Sequence, residues 1–133
     1  ETASFIAFLS LIIGPNAYRK LIALFDSGDP KEYVLDEVIG MGIAISGVYI
    51  FTRIFDQFSF NFIESLSATD ELFILTFIVF RFFDISKIGP VGWVESNPKE
   101  KAYNRVIGDD IMAALLSIIV VIIFLSVNLW ILQ

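Results

Sequence analysis

The chain of 133 residues contains neither cysteine nor histidine. Without cysteine it has no disulfide framework and no thiolate nucleophile. Without histidine it lacks the commonest general base and the commonest ligand for zinc. Any chemistry must therefore depend on carboxylates, lysine, arginine, serine, threonine or tyrosine. Positive charge is also scarce: the net charge of −6 argues against a nucleic-acid partner, because nucleic acids bind basic surfaces.

Hydrophobic residues are abundant instead. They make up 56% of the chain, and the mean hydropathy of +0.77 is too high for an ordinary soluble domain. The run from Ile111 to Gln133 carries no charge. As a helix it would be about 33 Å long, which is enough to cross a bilayer. The sequence therefore predicts an integral membrane protein with a single domain over residues 1–133.

Four apolar segments are long enough to form helices, and lipid permits only helices or closed barrels. They cover residues 4–25, 38–55, 72–87 and 111–132. We therefore expect an all-α membrane bundle of about four helices. Gly14 and Pro15 should kink the first helix. The connection over residues 88–110 should be a loop with room for one short helix.

If these segments alternate across the bilayer, three charged clusters reach the same membrane face. The clusters are Asp36–Glu37, Arg81–Asp84–Lys87 and Asp109–Asp110. Eight of the nine lysine and arginine residues lie on or near this face. The positive-inside rule therefore predicts that the face is cytoplasmic, or that it faces the matrix in an organelle.

Two of these clusters have an ordinary structural explanation when each is taken alone. Asp36 and Glu37 would stabilise the first turn of a helix, because the N–H groups there are free and the dipole favours negative charge. One of Asp109 and Asp110 could do the same at the start of the last segment, but the second would be surplus. Neither pair alone is strong evidence for a functional site.

The third cluster is harder to explain by structure alone. A local ion pair between Arg81 and Asp84, with Lys87 extending towards the interface, is the simplest interpretation. However, Arg81 follows nine uncharged residues, and ionisable groups at membrane depth are costly and usually functional. Taken together, the three clusters would suit a divalent cation such as Mg²⁺ and an anionic lipid head group.

Three motifs resemble, in this order, those of the phosphatidylglycerophosphatase A family: DPKEYVLDEVIGM, FIVFRFFDISKIGP and GDDIMAALLS. The resemblance covers about residues 28–125. It implies an all-helical membrane enzyme that uses Mg²⁺ to dephosphorylate phosphatidylglycerophosphate, a phospholipid substrate, to phosphatidylglycerol. Such an enzyme would lie in a bacterial or mitochondrial inner membrane, with its charged site facing the cytoplasm or matrix.

The resemblance also implies roles for individual residues. Gly40 would let helices pack closely beside the site, and Arg81 and Lys87 would bind the substrate phosphate. The catalytic residues, acting as metal ligands or general bases, would be Asp36, Glu37, Asp84 and Asp110. The Mg²⁺ ligands would be Asp36, Glu37, Asp84, Asp109 and Asp110.

The chain departs from the family pattern in several places. It has no counterpart of the family's N-terminal GTxGS-type motif, the family's KPxP reads KIGP, and KAYNRVIG replaces a glycine-rich stretch. An upstream segment with the missing motif would favour the enzyme. A gene that begins near Glu1 would favour a degenerate, non-catalytic subunit of a larger membrane complex. An ion-binding or transport protein is a third, less favoured interpretation, because its charges would be expected at the bilayer midplane.

Overall fold

The computed structural model describes residues 2–25, 34–58, 70–96 and 102–131. Within these ranges the chain is helical and contains no strand, which confirms the predicted all-α class. The helices are α1 (Thr2–Phe25), α2 (Leu35–Phe58), α3 (Asp70–Ser86), α4 (Pro90–Glu95) and α5 (Ala102–Ile131). The short helix α4 occupies part of the connection for which the sequence left room.

Two of these helices are long and apolar enough to cross a membrane. The qualifying stretches are Leu35–Ile54 in α2 and Val106–Asn128 in α5. A bundle of four spanning helices is therefore not confirmed. Helix α3 has 17 residues, fewer than the roughly 20 that a span needs. Helix α1 continues without interruption through Pro15, and it carries charged residues in its second half.

Apolar side chains cover much of the outer surface of the helices. Large hydrophobic residues are exposed on each of the four long helices, for example Ile12, Ile50, Ile78 and Ile123. Water-soluble monomers rarely expose extensive apolar patches, because contact between hydrocarbon and water is unfavourable. The surface therefore suits a protein whose helices are surrounded by lipid.

Helices α2 and α5 form the most extensive helix pair in the described part of the chain. Small side chains make up much of the surface between them. Ala44 of α2 and Ala113, Ala114 and Ser117 of α5 are fully buried. Small residues let two backbones approach closely, which is how helices associate in lipid, where the hydrophobic effect gives no driving force. Helix α3 packs against both, and α1 packs against α2.

Buried hydroxyl groups are satisfied within their own helices. Thr76 Oγ1 donates to the Leu72 carbonyl oxygen at 2.7 Å, and Ser117 Oγ donates to the Ala113 carbonyl oxygen at 2.7 Å. Hydroxyls in helices commonly bond to a carbonyl one turn earlier in this way. These residues therefore do not need partners on neighbouring helices.

Helix α5 begins well before the predicted residue, at Ala102 rather than at Ile111. The prediction that Asp109 and Asp110 lie at the start of the last helix is therefore wrong. Both lie beyond its first turn, so they cannot cap its free N–H groups. The added part of the helix packs closely against α4: a Cβ at Gly108 would lie 2.8 Å from Val94 Cγ1.

Candidate functional site

Asp36 and Glu37 lie in the first turn of α2. Asp36 is half-buried, and its Oδ1 accepts a hydrogen bond from the Glu37 backbone N–H at 2.9 Å. Glu37 is more exposed, and its Oε2 lies 3.0 Å from Nη1 of Arg81 in α3. The helix dipole favours both carboxylates at this position. Of these two carboxylates, however, only Glu37 forms an ion pair with a residue of a neighbouring helix in the described part of the chain.

Arg81 connects carboxylates from two helices. Its Nη1 lies 3.0 Å from Glu37 Oε2 and 2.8 Å from Asp84 Oδ2. Among the described residues, both ion pairs of Arg81 use this one nitrogen. A guanidinium has five N–H donors in a fixed planar arrangement. The donors on Nε and Nη2 are therefore available to another acceptor, such as a phosphate.

Lys87 makes a second connection between carboxylates of different helices. Its Nζ donates to Asp84 Oδ1 at 3.4 Å and also to Oδ2 of Asp109 in α5. Burial disfavours the charge on Lys87, but the hydrogen bond to Asp109 and the attraction of both carboxylates outweigh this. The pKa of Lys87 is therefore raised above its usual value of 10.5. The lysine remains charged at neutral pH.

The backbone at Lys87 has an uncommon conformation. Its φ of +50° lies in the left-handed region directly after the last residue of α3. A residue with a Cβ pays about 1 kcal/mol for this conformation. Two residues later, Gly89 has a φ of +63°, and Pro90 begins α4. The KIGP sequence thus forms a turn that leads from α3 into α4, and α4 packs against α5.

Three carboxylates of the site are buried. Asp84, Asp109 and Asp110 are only 8%, 6% and 3% exposed. The Asp110 carboxyl lies within hydrogen-bonding reach of Asp84 and close to Asp36. Its Oδ1 is buried and has no hydrogen-bond partner among the described residues. A buried carboxyl oxygen without a donor is costly, so a cation or a proton is expected beside it.

The structure brings the seven predicted residues into one network, in which Arg81 and Lys87 lie between carboxylates. The members are Asp36, Glu37, Arg81, Asp84, Lys87, Asp109 and Asp110. This convergence follows from the packing of α2, α3 and α5. The catalytic, phosphate-binding and metal-binding roles assigned to these residues stay predictions.

The network differs from a preformed metal cage. No group of three or more acidic side chains in the described ranges is arranged to hold a metal ion. Mg²⁺, however, commonly binds through one or two carboxylates, with water and substrate phosphates as its other ligands. The unpartnered Oδ1 of Asp110, with Asp84 in contact and Asp36 nearby, provides oxygen ligands of the right chemistry. These oxygen atoms suit Mg²⁺ chemically, and Mg²⁺ binding at the network stays a prediction.

Gly40 determines how closely the helices meet beside this network. A Cβ at this position would lie 2.9 Å from two ring atoms of Phe80 and 3.0 Å from the Cβ of Asp110. Phe80 is only 1% exposed, so its ring has little room to move. The absence of a side chain at Gly40 therefore permits the contact of α2 with α3 and α5, as the family resemblance implied.

A groove of about 340 Å³ opens beside the charged network. Its apolar lining comes from three helices and includes Ile6 of α1, Val38, Met41 and Ile45 of α2, and Phe77 of α3. Glu37 and Arg81 also line it, and they are the charged residues among the part of its lining that the structure describes. The groove therefore adjoins the charged network through one ion pair.

The lining of this groove was not predicted from the sequence. A signal was nevertheless present in the residue spacing. Met41 and Ile45 follow Glu37 at intervals of four residues, and Phe77 precedes Arg81 by four. Residues four apart lie on the same face of a helix. Each helix therefore carries an apolar stripe that ends at a charged residue.

The sequence profile described as Phosphatidylglycerophosphatase A matches residues 1–125. The chain belongs to the phosphatidylglycerophosphatase A family. The matched range contains the whole charged network and the lining of the groove, and membership confirms the resemblance found in the three motifs. No curated protein and no solved structure gave a significant match. Membership of the phosphatidylglycerophosphatase A family and the two long apolar helices together indicate a membrane protein.

Proposed function

We propose that the chain is a Mg²⁺-dependent lipid phosphatase that hydrolyses phosphatidylglycerophosphate to phosphatidylglycerol and inorganic phosphate. Membership of the phosphatidylglycerophosphatase A family supports this proposal. The observation that carries it is the position of Arg81, which belongs both to the charged network and to the lining of the apolar groove. A phospholipid with a terminal phosphate needs both surroundings, since its head group is anionic and its chains are apolar.

Arg81 and Lys87 would bind the phosphate of the substrate. Arg81 has N–H donors on Nε and Nη2 that its described ion pairs do not use. A guanidinium can bind two phosphate oxygens at once. Lys87 adds a second positive charge at the same network. Both charges would stabilise the negative charge that develops on the phosphate in the transition state.

Mg²⁺, when bound, would neutralise charge on the phosphate and make a water molecule a stronger nucleophile. Its ligands would come from Asp36, Glu37, Asp84, Asp109 and Asp110. Asp110 is the first candidate, because its Oδ1 has no partner among the described residues. A carboxylate of Asp36, Glu37, Asp84 or Asp110 that does not bind the metal would accept the proton of the attacking water.

The reaction is a simple hydrolysis. Water attacks phosphorus, the bond from phosphorus to the glycerol oxygen breaks, and the leaving oxygen takes up a proton. The chain has no cysteine or histidine, so a covalent phosphocysteine or phosphohistidine route has no nucleophile here. Direct attack by water is the simplest chemistry for a site built from carboxylates, lysine and arginine.

We also propose that the network faces the cytoplasm from a bacterial inner membrane, or the matrix from a mitochondrial inner membrane. The asymmetry of positive charge in the sequence supports this orientation, since eight of nine lysine and arginine residues would lie on or near that face if the four segments alternate across the membrane. The substrate head group would be reached from the same side.

The proposal is tested by measuring phosphate release from phosphatidylglycerophosphate in mixed micelles. Activity should disappear with a chelator and return when Mg²⁺ is added. Asp36→Asn and Asp110→Asn should each abolish activity while the helix content stays unchanged. Asp70→Asn is a matched control, because Asp70 is exposed at the opposite end of α3. Full activity in both site variants would contradict the metal-site hypothesis.

A non-catalytic subunit of a larger membrane complex is the second candidate function. One observation favours it: Arg81 and Lys87 each pair with two carboxylates, so the protein's own cations neutralise groups that an enzyme would use to bind metal. Under this alternative, the folded protein expressed from the true start of its gene would release no phosphate at any Mg²⁺ concentration. It would instead co-purify with partner subunits.

A further inference from the structure

We propose that the groove between α1, α2 and α3 binds the first part of one acyl chain of a lipid whose phosphate lies at Arg81. This inference rests on the proposed function and deepens it, because it names where the hydrocarbon part of the substrate lies. The occupant is a lipid phosphomonoester, that is, a phosphate-terminated lipid with attached acyl chains.

The composition and size of the groove suit a hydrocarbon chain. Among the described residues that line the groove, all except Glu37 and Arg81 are apolar, and they include Val38, Met41 and Phe77. Its volume of about 340 Å³ lies within the range of ligand-binding pockets, roughly 300–1,000 Å³. A polar ligand would leave its own groups unpaired against this wall, whereas an acyl chain would not.

The length of the groove also suits a chain that enters from the head group. Ile45 follows Glu37 by eight residues along α2, which corresponds to about 12 Å of helix. Both residues line the groove. The groove therefore extends from the charged network towards the middle of the bundle, in the direction that an acyl chain takes from its head group.

The ion pair at the groove can be exchanged for a phosphate. The side chains of Arg81 and Glu37 are 32% and 48% exposed, and ion pairs with this exposure contribute little to stability. A phosphate would therefore bind the unused Nε and Nη2 donors of Arg81, and it could also displace Glu37 from Nη1 at little cost. Free phosphate would bind Arg81 but leave the apolar groove empty. A lipid without phosphate would fill the groove but give Arg81 no new anionic partner. A lipid phosphomonoester uses both features.

The first experiment narrows the groove from within. Ile45→Trp places a large ring in the groove, and Ile50→Trp on the same helix is the matched control, because Ile50 is exposed outside the groove lining. Ile45→Trp should lower kcat/KM for the long-chain substrate at least tenfold and change hydrolysis of the deacylated head group less than twofold. Equal kcat/KM values for the two variants on the long-chain substrate would overturn the proposal.

A second experiment does not depend on turnover or on the folding of a variant. The wild-type protein is irradiated with a phosphatidic acid that carries a diazirine near the carboxyl end of one acyl chain. Labelling should concentrate on Met41, Ile45 and Phe77, and a matched diacylglycerol without phosphate should not label them. Equal labelling by both lipids, or labelling spread over the outer helix surfaces, would overturn the proposal.

The two experiments together separate the acyl-chain site from the proposed function. Suppose that Ile45→Trp and Ile50→Trp reduce phosphate release equally and that photolabelling is not selective. The proposed phosphatase activity would then stand, but the acyl-chain site in the groove would be rejected. Selective labelling by a protein that releases no phosphate would reject the phosphatase and support a lipid-binding groove in a non-catalytic protein.

Discussion

The ammonium group of Lys87 donates a hydrogen bond to Asp109, although 22 positions separate the two residues in the sequence. Asp109 is buried in α5, and Lys87 follows the last residue of α3. The next residue, Asp110, is also buried, but its Oδ1 has no hydrogen-bond partner in the described ranges. Of these two adjacent carboxylates, Asp109 has a positively charged partner, whereas one oxygen of Asp110 has no hydrogen-bond partner in the described ranges. Replacing each of them should therefore affect the stability of the protein differently.

We expect Asp109→Asn to lower the free energy of unfolding by about 1–3 kcal/mol, because it removes the buried partner of Lys87. Asp110→Asn should leave the unfolding free energy unchanged or raise it, because a neutral amide replaces a buried carboxyl crowded by Asp84, Asp36 and Asp109, where a carboxylate charge is unfavourable. Unfolding of both variants in detergent, without added metal, measures the difference. A larger loss of stability in Asp110→Asn than in Asp109→Asn would contradict the conclusion that Asp109 is the stabilising partner of Lys87.

Two glycines of α2 provide a test of packing beside the site. Gly40→Ala should destabilise the protein by about 1–3 kcal/mol, because its Cβ would lie 2.9 Å from the buried ring of Phe80. Gly47→Ala should be tolerated better, because its nearest neighbour is the flexible end of the Ile118 side chain. Thermal unfolding and phosphate release of both variants provide the readouts. Similar losses in the two variants would show that Gly40 has no special role.

Replacement of Arg81 by lysine tests whether the fork of N–H donors matters. Arg81→Lys keeps the charge but loses the planar donor arrangement, so the KM for the lipid substrate should rise about tenfold. Arg53→Lys is the control, since Arg53 lies near the opposite end of α2 and donates to the Tyr49 hydroxyl at 3.0 Å. An unchanged KM in Arg81→Lys would indicate that charge alone is sufficient at this position.

Two substitutions of Lys87 distinguish the effect of its left-handed backbone conformation from the effect of its side-chain charge. Lys87→Met and Lys87→Gly both remove the ion pairs with Asp84 and Asp109, so both should lose most phosphate release. Glycine adopts the left-handed conformation at this position without strain. We therefore expect Lys87→Gly to be about 1 kcal/mol more stable than Lys87→Met in denaturant unfolding. A more stable methionine variant would contradict this account of the backbone.

The absence of cysteine makes single-cysteine labelling a direct test of orientation. Ser96→Cys lies in the connection between α4 and α5, and Glu71→Cys lies at the start of α3; both positions are exposed. An impermeant thiol reagent added outside intact cells should label Glu71→Cys, and should label Ser96→Cys only after permeabilisation. The reverse pattern would invert the orientation. Equal labelling of both would show that α3 does not cross the membrane.

The amino-acid sequence by itself determined the class of the protein and the members of its charged clusters. Local properties are sufficient for both conclusions. An uncharged run such as residues 111–133 indicates a helix in lipid, and three motifs in order indicate the family. The start of α5 was not predicted from the sequence, because KAYNRVIG has no clear preference for helix or loop. Packing of Gly108 against Val94 of α4 accompanies the longer helix.

The sequence predicted the local ion pair between Arg81 and Asp84, and only the tertiary structure decided which cations pair with carboxylates of other helices. No local pattern relates Lys87 to Asp109 or Arg81 to Glu37, because such distances depend on how three helices pack. The groove is likewise a property of three helices together, since each contributes only a stripe of apolar residues. Charge at a helix end is encoded in short-range sequence. A charge at a helix end can be neutralised by a residue on another helix only if the helices pack closely. Gly40 and the small side chains between α2 and α5 permit that close packing.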